Sequence, residues 1–382
     1  MASLLLKNAS LALPEGLVSS DLLISGGSIE RIGSGLSGDE TMDLKGSVVL
    51  PGFIDLHNHG AVGVDVNEAD SAGLLKVGEF LAESGVTSWL PTFVPDSVEV
   101  YSRVVGAMRE AVAIQQSECA AQIVGVHYEG IFANTQMCGA LRPEFFREFS
   151  GTELDDLPEL EGRAHLTTFA PEVRGGVELV RRLKAKGWIP SVGHTRADVV
   201  TLDAAYDAGA RHVTHLFNAM SGLHHREIGV AGWALTKEGL TCDIIADGMH
   251  VAPQILALAM KMKGADALAL ISDSVAPTGL GDGDFSLWGE NIAIKGRTTK
   301  NDRGSIAGSV ITMADAVRTY RSLGTPWEVI AKIASSTPAS ILGLDDRGVI
   351  AEGKRADLVA TDTDGRVTFV SVGGKVRVKV SR

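Results

Sequence analysis

Cysteine is scarce in this chain. Its three cysteines, Cys119, Cys138 and Cys242, lie far apart with no CxxC spacing, which excludes a disulfide framework and a thiolate zinc site. Positive charge is also short: 35 Lys and Arg stand against 47 Asp and Glu, a net charge of −12. That balance excludes nucleic acid and anionic membrane as main partners, since both need a basic surface. A small anionic substrate remains possible, because it needs only a few local cations. No apolar run is long enough to cross a bilayer. The start, MASLLLKNASLALPEG, has an apolar patch with no basic segment before it and no small-residue cleavage site, so no signal peptide is read there. The expectation is a soluble, cytoplasmic protein. At 382 residues, 45% of them hydrophobic, the chain has room for one large domain and a smaller one.

The two ends share one texture. SLLLKNASLAL, DLLISGGSIERIG and ETMDLKGSVVLPG at the start match GVIAEGKRADLVATD and GRVTFVSVGGKVRVKV at the finish. Alternating apolar residues with glycine turns predict short antiparallel strands. Residues 1–52 and 346–382 are therefore expected to pair into one small β-sandwich domain. Between them, residues 53–345 alternate short apolar strands with helix-length amphipathic segments such as SAGLLKVGEFLAES and GGVELVRRLKAKG. The strand candidates are VVLPGFIDLH, GVTSWLPTF, AQIVGVHYE, HLTTFAPE, WIPSVGH, HVTHLF, LTCDIIAD and ALALISD. Runs apolar on both faces suit parallel strands covered by helices. The pattern predicts an α/β fold, a (β/α)8 TIM barrel, with a doubly wound open sheet as the alternative.

A barrel carries its active site at the carboxyl ends of its strands. There the first strand ends in His57 and His59, the third in Glu129, the fifth in His194, the sixth in His215 and the eighth in Asp273. Five strand ends thus bring metal-binding or acid–base side chains to one mouth. His57 and His59 are two apart on a strand, point to one face and can grip one cation. Imidazole with carboxylate suits zinc or another borderline divalent metal. His212, three residues from His215, faces the other way and reads as packing against helices. His127 shares a face with Glu129, which makes it either a donor that orients the carboxylate or a packed core residue.

DLHNH, HYEG, SVGHT, HLFNAM, IADGMH and SDSVAPTG, in this order, resemble the amidohydrolase superfamily and, within it, the N-acetylglucosamine-6-phosphate deacetylases. The closing GVIAEGKRADLV is similar too, and strand four, HLTTFAPE, has no lysine to be carbamylated, as in that subgroup. The resemblance implies that Glu129, His194 and His215 hold one divalent metal and that His57 and His59 hold a second, with Glu129 bridging. Zinc is the first choice, and iron(II), manganese(II) or cobalt(II) are alternatives. Asp273 is implied as general acid–base, and Ala140, Asn218, Ala219, Ile306, Ala307 and Gly308 as substrate contacts. Arg226 and His250 would take the phosphate, with Arg226 arriving from the partner of a homodimer. The reaction would release acetate and an amino sugar phosphate. A different N-acyl or cyclic amide is the alternative substrate; a non-catalytic metal- or sugar-phosphate-binding protein is a third reading.

The loop after strand three departs from the relatives. They usually read HLEGPF, then a basic residue, glycine, a small residue and a histidine that is thought to polarise the acetyl carbonyl. Here Ile131 replaces the proline, Cys138 the basic residue and Leu141 the histidine; further on, Ile228 stands where proline is common. Leucine donates no hydrogen bond, and losing one oxyanion donor costs about 10²–10³ in rate. A second cation at His57 and His59 is one way to replace it.

Overall fold

The computed structural model describes residues 2–115 and 119–378; Met1 and residues 379–382 of the expected terminal domain lie outside the described residues. Eight parallel strands run Phe53–Asn58, Val86–Phe93, Gly125–Phe132, Ala164–Phe169, Ile189–Val192, His212–Val213, Thr241–Ile245 and Leu268–Ile271. They are numbered below as barrel strands in that order. Each pairs with the next. A parallel bridge between Asn58 and Ser274 joins the last to the first, with Asp273 N donating to His57 O at 2.9 Å and His59 N to Ser274 O at 2.8 Å. The sheet is therefore a closed barrel and not an open one. Strands two and three are buried at every residue, as parallel strands covered on both faces must be. The intervening helices begin where capping residues stand: Asp70, Ser97 and Asp198 each accept from a backbone N–H in the first turn.

Strands from both ends of the chain form one eight-stranded sheet. They meet where Val48–Pro51 pairs antiparallel with Leu358–Thr361. The sheet is mixed, contrary to the antiparallel expectation. Leu4–Lys7 pairs in parallel with Glu40–Asp43, and Ser10–Leu11 with Val48–Val49, so the sheet forks at its first strand. Leu22 and Ile29 from one arm and Leu358 and Phe369 from the other share one apolar cluster, which fills the space between the arms.

Two features differ from the sequence pattern. VVLPGFIDLH is not one strand: it breaks at Gly52, with one half in the terminal sheet and the other in the barrel. A Cβ at Gly52 would lie 2.2 Å from Thr87 Cγ2, so only glycine lets the chain pass that close. Between strand eight and the next helix stands an unforeseen antiparallel meander, Gly283–Leu287, Glu290–Lys295 and Thr298–Asn301. Its first turn overhangs the barrel mouth and inserts Trp288.

Candidate active site

At the barrel mouth the backbone itself is unusual. His194, His215 and Asp273, each just past the end of its strand, have φ of 47°, 33° and 50°. Residues with a Cβ pay strain for this left-handed conformation, and such strain concentrates at functional sites. It turns all three side chains inward. Glu129 Oε1 lies 3.0 Å from both His194 Nε2 and His215 Nε2. Its Oε2 lies 3.3 Å from His59 Nε2, and Oε1 lies 3.4 Å from His57 Nε2. Asp273 Oδ1 is 3.4 Å from His57 Nε2 and 3.3 Å from His59 Nε2. All six side chains are buried.

The tautomers show what this cluster accepts. His59 Nδ1 sits 3.1 Å from Thr92 O and His194 Nδ1 2.7 Å from Met137 O. A carbonyl only accepts, so both Nδ1 atoms carry a proton, and each Nε2 is the inward atom that takes either a second proton or a cation. Yet His57 and His59 hold Nε2 atoms 3.0 Å apart, and His194 and His215 hold theirs 3.1 Å apart. Acceptors crowded around carboxylates at these distances call for positive charge between them. Burial opposes a charged imidazole at His59, but bonding to Asp273 and Glu129 outweighs it and pushes the ring up to about 10. His215 is likewise penalised by burial, and bonding to Glu129 raises it to about 9. Burial would raise the Glu129 carboxyl, but the facing His57, His194 and His215 hold it well below the usual range. His57, His59 and Glu129 form one possible metal-binding group, and Glu129, His194 and His215 a second. This nitrogen and oxygen donor set fits a divalent cation.

Above the cluster opens a cavity of about 270 Å³. Ala140, Asn218, Ala219, His250, Ile306 and Gly308 line it, as expected of substrate contacts. Ala307 does not: it is fully buried in a satellite cluster with Val275, Leu287 and Ile292. Arg226 is exposed and outside the lining of its own chain's cavity. Among the described residues, neither lysine nor arginine lines the cavity. His250 lines it outside both metal-binding groups, and Asp247 Oδ2 accepts from its Nδ1 at 2.7 Å.

Two neighbouring histidines gain definition. His127 makes no bond to Glu129. Its Nε2 pairs with Thr168 Oγ1 at 2.7 Å, and its ring meets His57 edge-on with centroids 4.5 Å apart. Burial holds it well below its ordinary pKa, so it is a neutral support beneath His57. His212 does more than pack. Its Nε2 bonds Asp243 Oδ2 at 3.0 Å, and Asp243 Oδ1 accepts the backbone N–H of His215, so the pair fixes that strained strand end. Sequence reasoning missed Asp243, Asp247, Trp288 and the Met137 carbonyl. Asp247 could have been found from its position 3 residues before His250; Asp243, 28 residues past His215, could not. A backbone carbonyl leaves no trace in sequence.

Residues 48–379 match the model of the amidohydrolase family. Over 335 residues the chain is 39% identical to N-acetylglucosamine-6-phosphate deacetylase of Bacillus subtilis, covering 86% of this chain and 84% of that protein. It is 35% identical over 333 residues to N-acetylgalactosamine-6-phosphate deacetylase of Escherichia coli O157:H7, covering 86% and 87%. A mutant of the Mycobacterium smegmatis N-acetyl-D-glucosamine-6-phosphate deacetylase, solved in complex with N-acetyl-D-glucosamine-6-phosphate, superposes with a TM-score of 0.90 at 31% identity. It covers 99% of this chain and 100% of that one. The chain belongs to the amidohydrolase family, in the branch of the N-acetylglucosamine-6-phosphate deacetylases.

Proposed function

We propose that this protein hydrolyses the acetamide of N-acetylglucosamine 6-phosphate, releasing acetate and glucosamine 6-phosphate. The observation that carries this reading is Asp273 Oδ1, 3.3–3.4 Å from His57 and His59, at the floor of the cavity. A carboxylate so placed beside a cation site serves as a proton carrier, which simple binding does not need. Glu129, His194 and His215 would hold one cation, zinc first; His57 and His59 would hold a second, with Glu129 between them. A bound cation supplies Lewis acidity, which brings the pKa of a water down toward ~7.

The chain's own residues do the rest. Asp273 takes the proton of the attacking water as the C–O bond forms, and delivers it to the nitrogen as the C–N bond breaks. Without that proton the sugar amine would leave as an amide anion. Asn218, Ala219 and the backbone around Ile306 and Gly308 orient the sugar, and His250 faces the phosphate. A second copy of the chain would complete the phosphate site with Arg226, whose planar fork can bind two oxygens at once. The work divides between residues 53–345, which carry the chemistry, and the terminal segments 1–52 and 346–382, whose described strands brace strand one. The expected compartment is the cytoplasm.

Relatives named for both the glucosamine and the galactosamine epimer favour testing both. Acetate release should be measured on metal-quantified protein with N-acetylglucosamine 6-phosphate, its galactosamine epimer and the unphosphorylated sugar. Release from a phosphorylated sugar and little from the free one is expected. No release from any, at every metal loading, sinks the proposal.

A further inference from the structure

Leu141 and Trp288 give the cavity an apolar wall, and Trp288 stands beside His59. Leu141 is only 3% exposed, and a Cβ added to Gly130 would stand 2.3 Å from its Cδ1. Gly130 follows Glu129 directly, and Leu141 and Glu129 line the same cavity. Trp288 reaches the same corner from the meander, edge-on to His59 with ring centroids 5.2 Å apart. Ala140 and Trp288 also pack on one satellite cluster with Val275, Leu287 and Ile292. The loop after strand three and the meander are thereby locked together behind this wall.

The backbone of Trp288 is a second, independent observation. Trp288 and Gly289 are the central residues of a two-residue hairpin turn closed by the Leu287–Glu290 pair, with φ of 54° and 81°. A turn with both φ positive favours asparagine and glycine. A bulky aromatic there is an outlier that persists only where its surroundings hold it. The needs of the turn do not explain a tryptophan; the place of its ring in the cavity does. On its far side the same residue lines a second cavity of about 210 Å³, together with Asp65, Asp96 and Arg142.

We propose that Trp288, with Leu141, forms the acyl subsite and sets the longest acyl chain the enzyme removes. The assignment rests on the deacetylase reading above. The scissile carbon must come within reach of Asp273, whose Oδ1 is 3.3 Å from His59 Nε2. The polar sugar takes the side of Asn218 and His250, so the acyl group points to the wall formed by Leu141 and Trp288. A methyl group meets an apolar surface there, and a longer chain meets the ring. Removing the ring joins the two cavities and gives a longer chain somewhere to go.

The test uses Trp288→Gly and Trp288→Asn, both of which suit the turn, as full-length protein with metal content measured. Rates would be taken on glucosamine 6-phosphate carrying N-formyl, N-acetyl, N-propionyl or N-butyryl groups. One methylene against a fitted apolar wall changes kcat/KM by about 10–200-fold. Wild type is expected to lose at least ~10-fold from acetyl to propionyl, and the variants to raise the propionyl-to-acetyl ratio by ~10-fold or more. Trp288→Phe keeps an aromatic edge on His59 and should shift the ratio in the same direction by less, which covers the case where metal retention depends on the ring. An unchanged ratio in all three variants, with wild type cleaving the acetyl compound, overturns the subsite alone. Failure of wild type on all four compounds overturns the deacetylase reading instead.

Discussion

Asp247 offers a quantitative test of how the phosphate end is built. Its Oδ1 accepts the backbone N–H groups of Met249 and His250, both at 2.8 Å, and its Oδ2 accepts His250 Nδ1 at 2.7 Å. Its side chain is fully enclosed. Burial would raise its carboxyl, yet its bonds to His250 and Met249 hold it below the usual range, so it is ionised at neutral pH. Asp247→Ala orphans three donors at about 1 kcal/mol or more each, a loss of about 3 kcal/mol in stability. Asp247→Asn keeps most of the geometry and removes the charge. A bond to a charged group exceeds a neutral one by about 1–1.5 kcal/mol, so KM for the phosphorylated substrate should rise about tenfold. The assay compares KM and kcat for phosphorylated and unphosphorylated sugars, with thermal melting as the check on folding. The expected result for Asp247→Asn is a KM effect confined to the phosphorylated sugar and kcat within about twofold. An equal KM rise on both sugars, or a fall in kcat alone, refutes the assignment of His250 to the phosphate.

Two further outcomes follow from the cation site and the altered loop. In metal-stripped protein, His59 and His215 are raised to about 10 and about 9. The stability they contribute is complete below about 6.5 and is lost as pH climbs toward 9–10. Glu129 and Asp273 are held low, so their contribution fails only below about pH 4. Stripped protein should therefore melt progressively lower from pH 6.5 to 10. Loaded protein should not, because protons compete with a cation for the same Nε2 atoms; parallel melting curves for the two forms count against the metal site. Leu141→His should raise kcat by up to ~10²-fold by restoring a donor over the acetyl carbonyl. No change, or a fall, means that this loop does not lie over the acetyl group.

Much of this architecture could be read in advance because barrel strands announce themselves twice. Each is an apolar run, and several end in a side chain that has no business in a core. Asp55-Leu-His57-Asn-His59 and Val192-Gly-His194 could be placed on sequence for that reason. The break at Gly52 could not, since apolar residues continue through it and only the approach of Thr87 demands the glycine. The meander was missed because it is an insertion between a barrel strand and its helix, although it does alternate, with Asp284, Ser286, Asn291 and Lys295 exposed and Leu287, Ile292 and Ile294 buried. Ala307 and Gly308 are neighbours in one loop, yet one faces the satellite core and the other the cavity. Sequence carries no sign of which way such a loop turns.

The seam between strands one and eight has a consequence in time. Asn58 Nδ2 bonds Ser274 Oγ at 2.7 Å across a separation of 216 residues, and the same seam sets Asp273 against His57 and His59. Contacts so distant along the chain are slow to form, because a long loop must close before they give anything back. A ribosome making this protein emits Glu129, His194 and His215 well before Asp273, the proton carrier proposed above. A half-made chain would therefore present the proposed cation ligands without the proposed proton carrier. Chemistry begins only when the two most distant edges of the barrel have found each other.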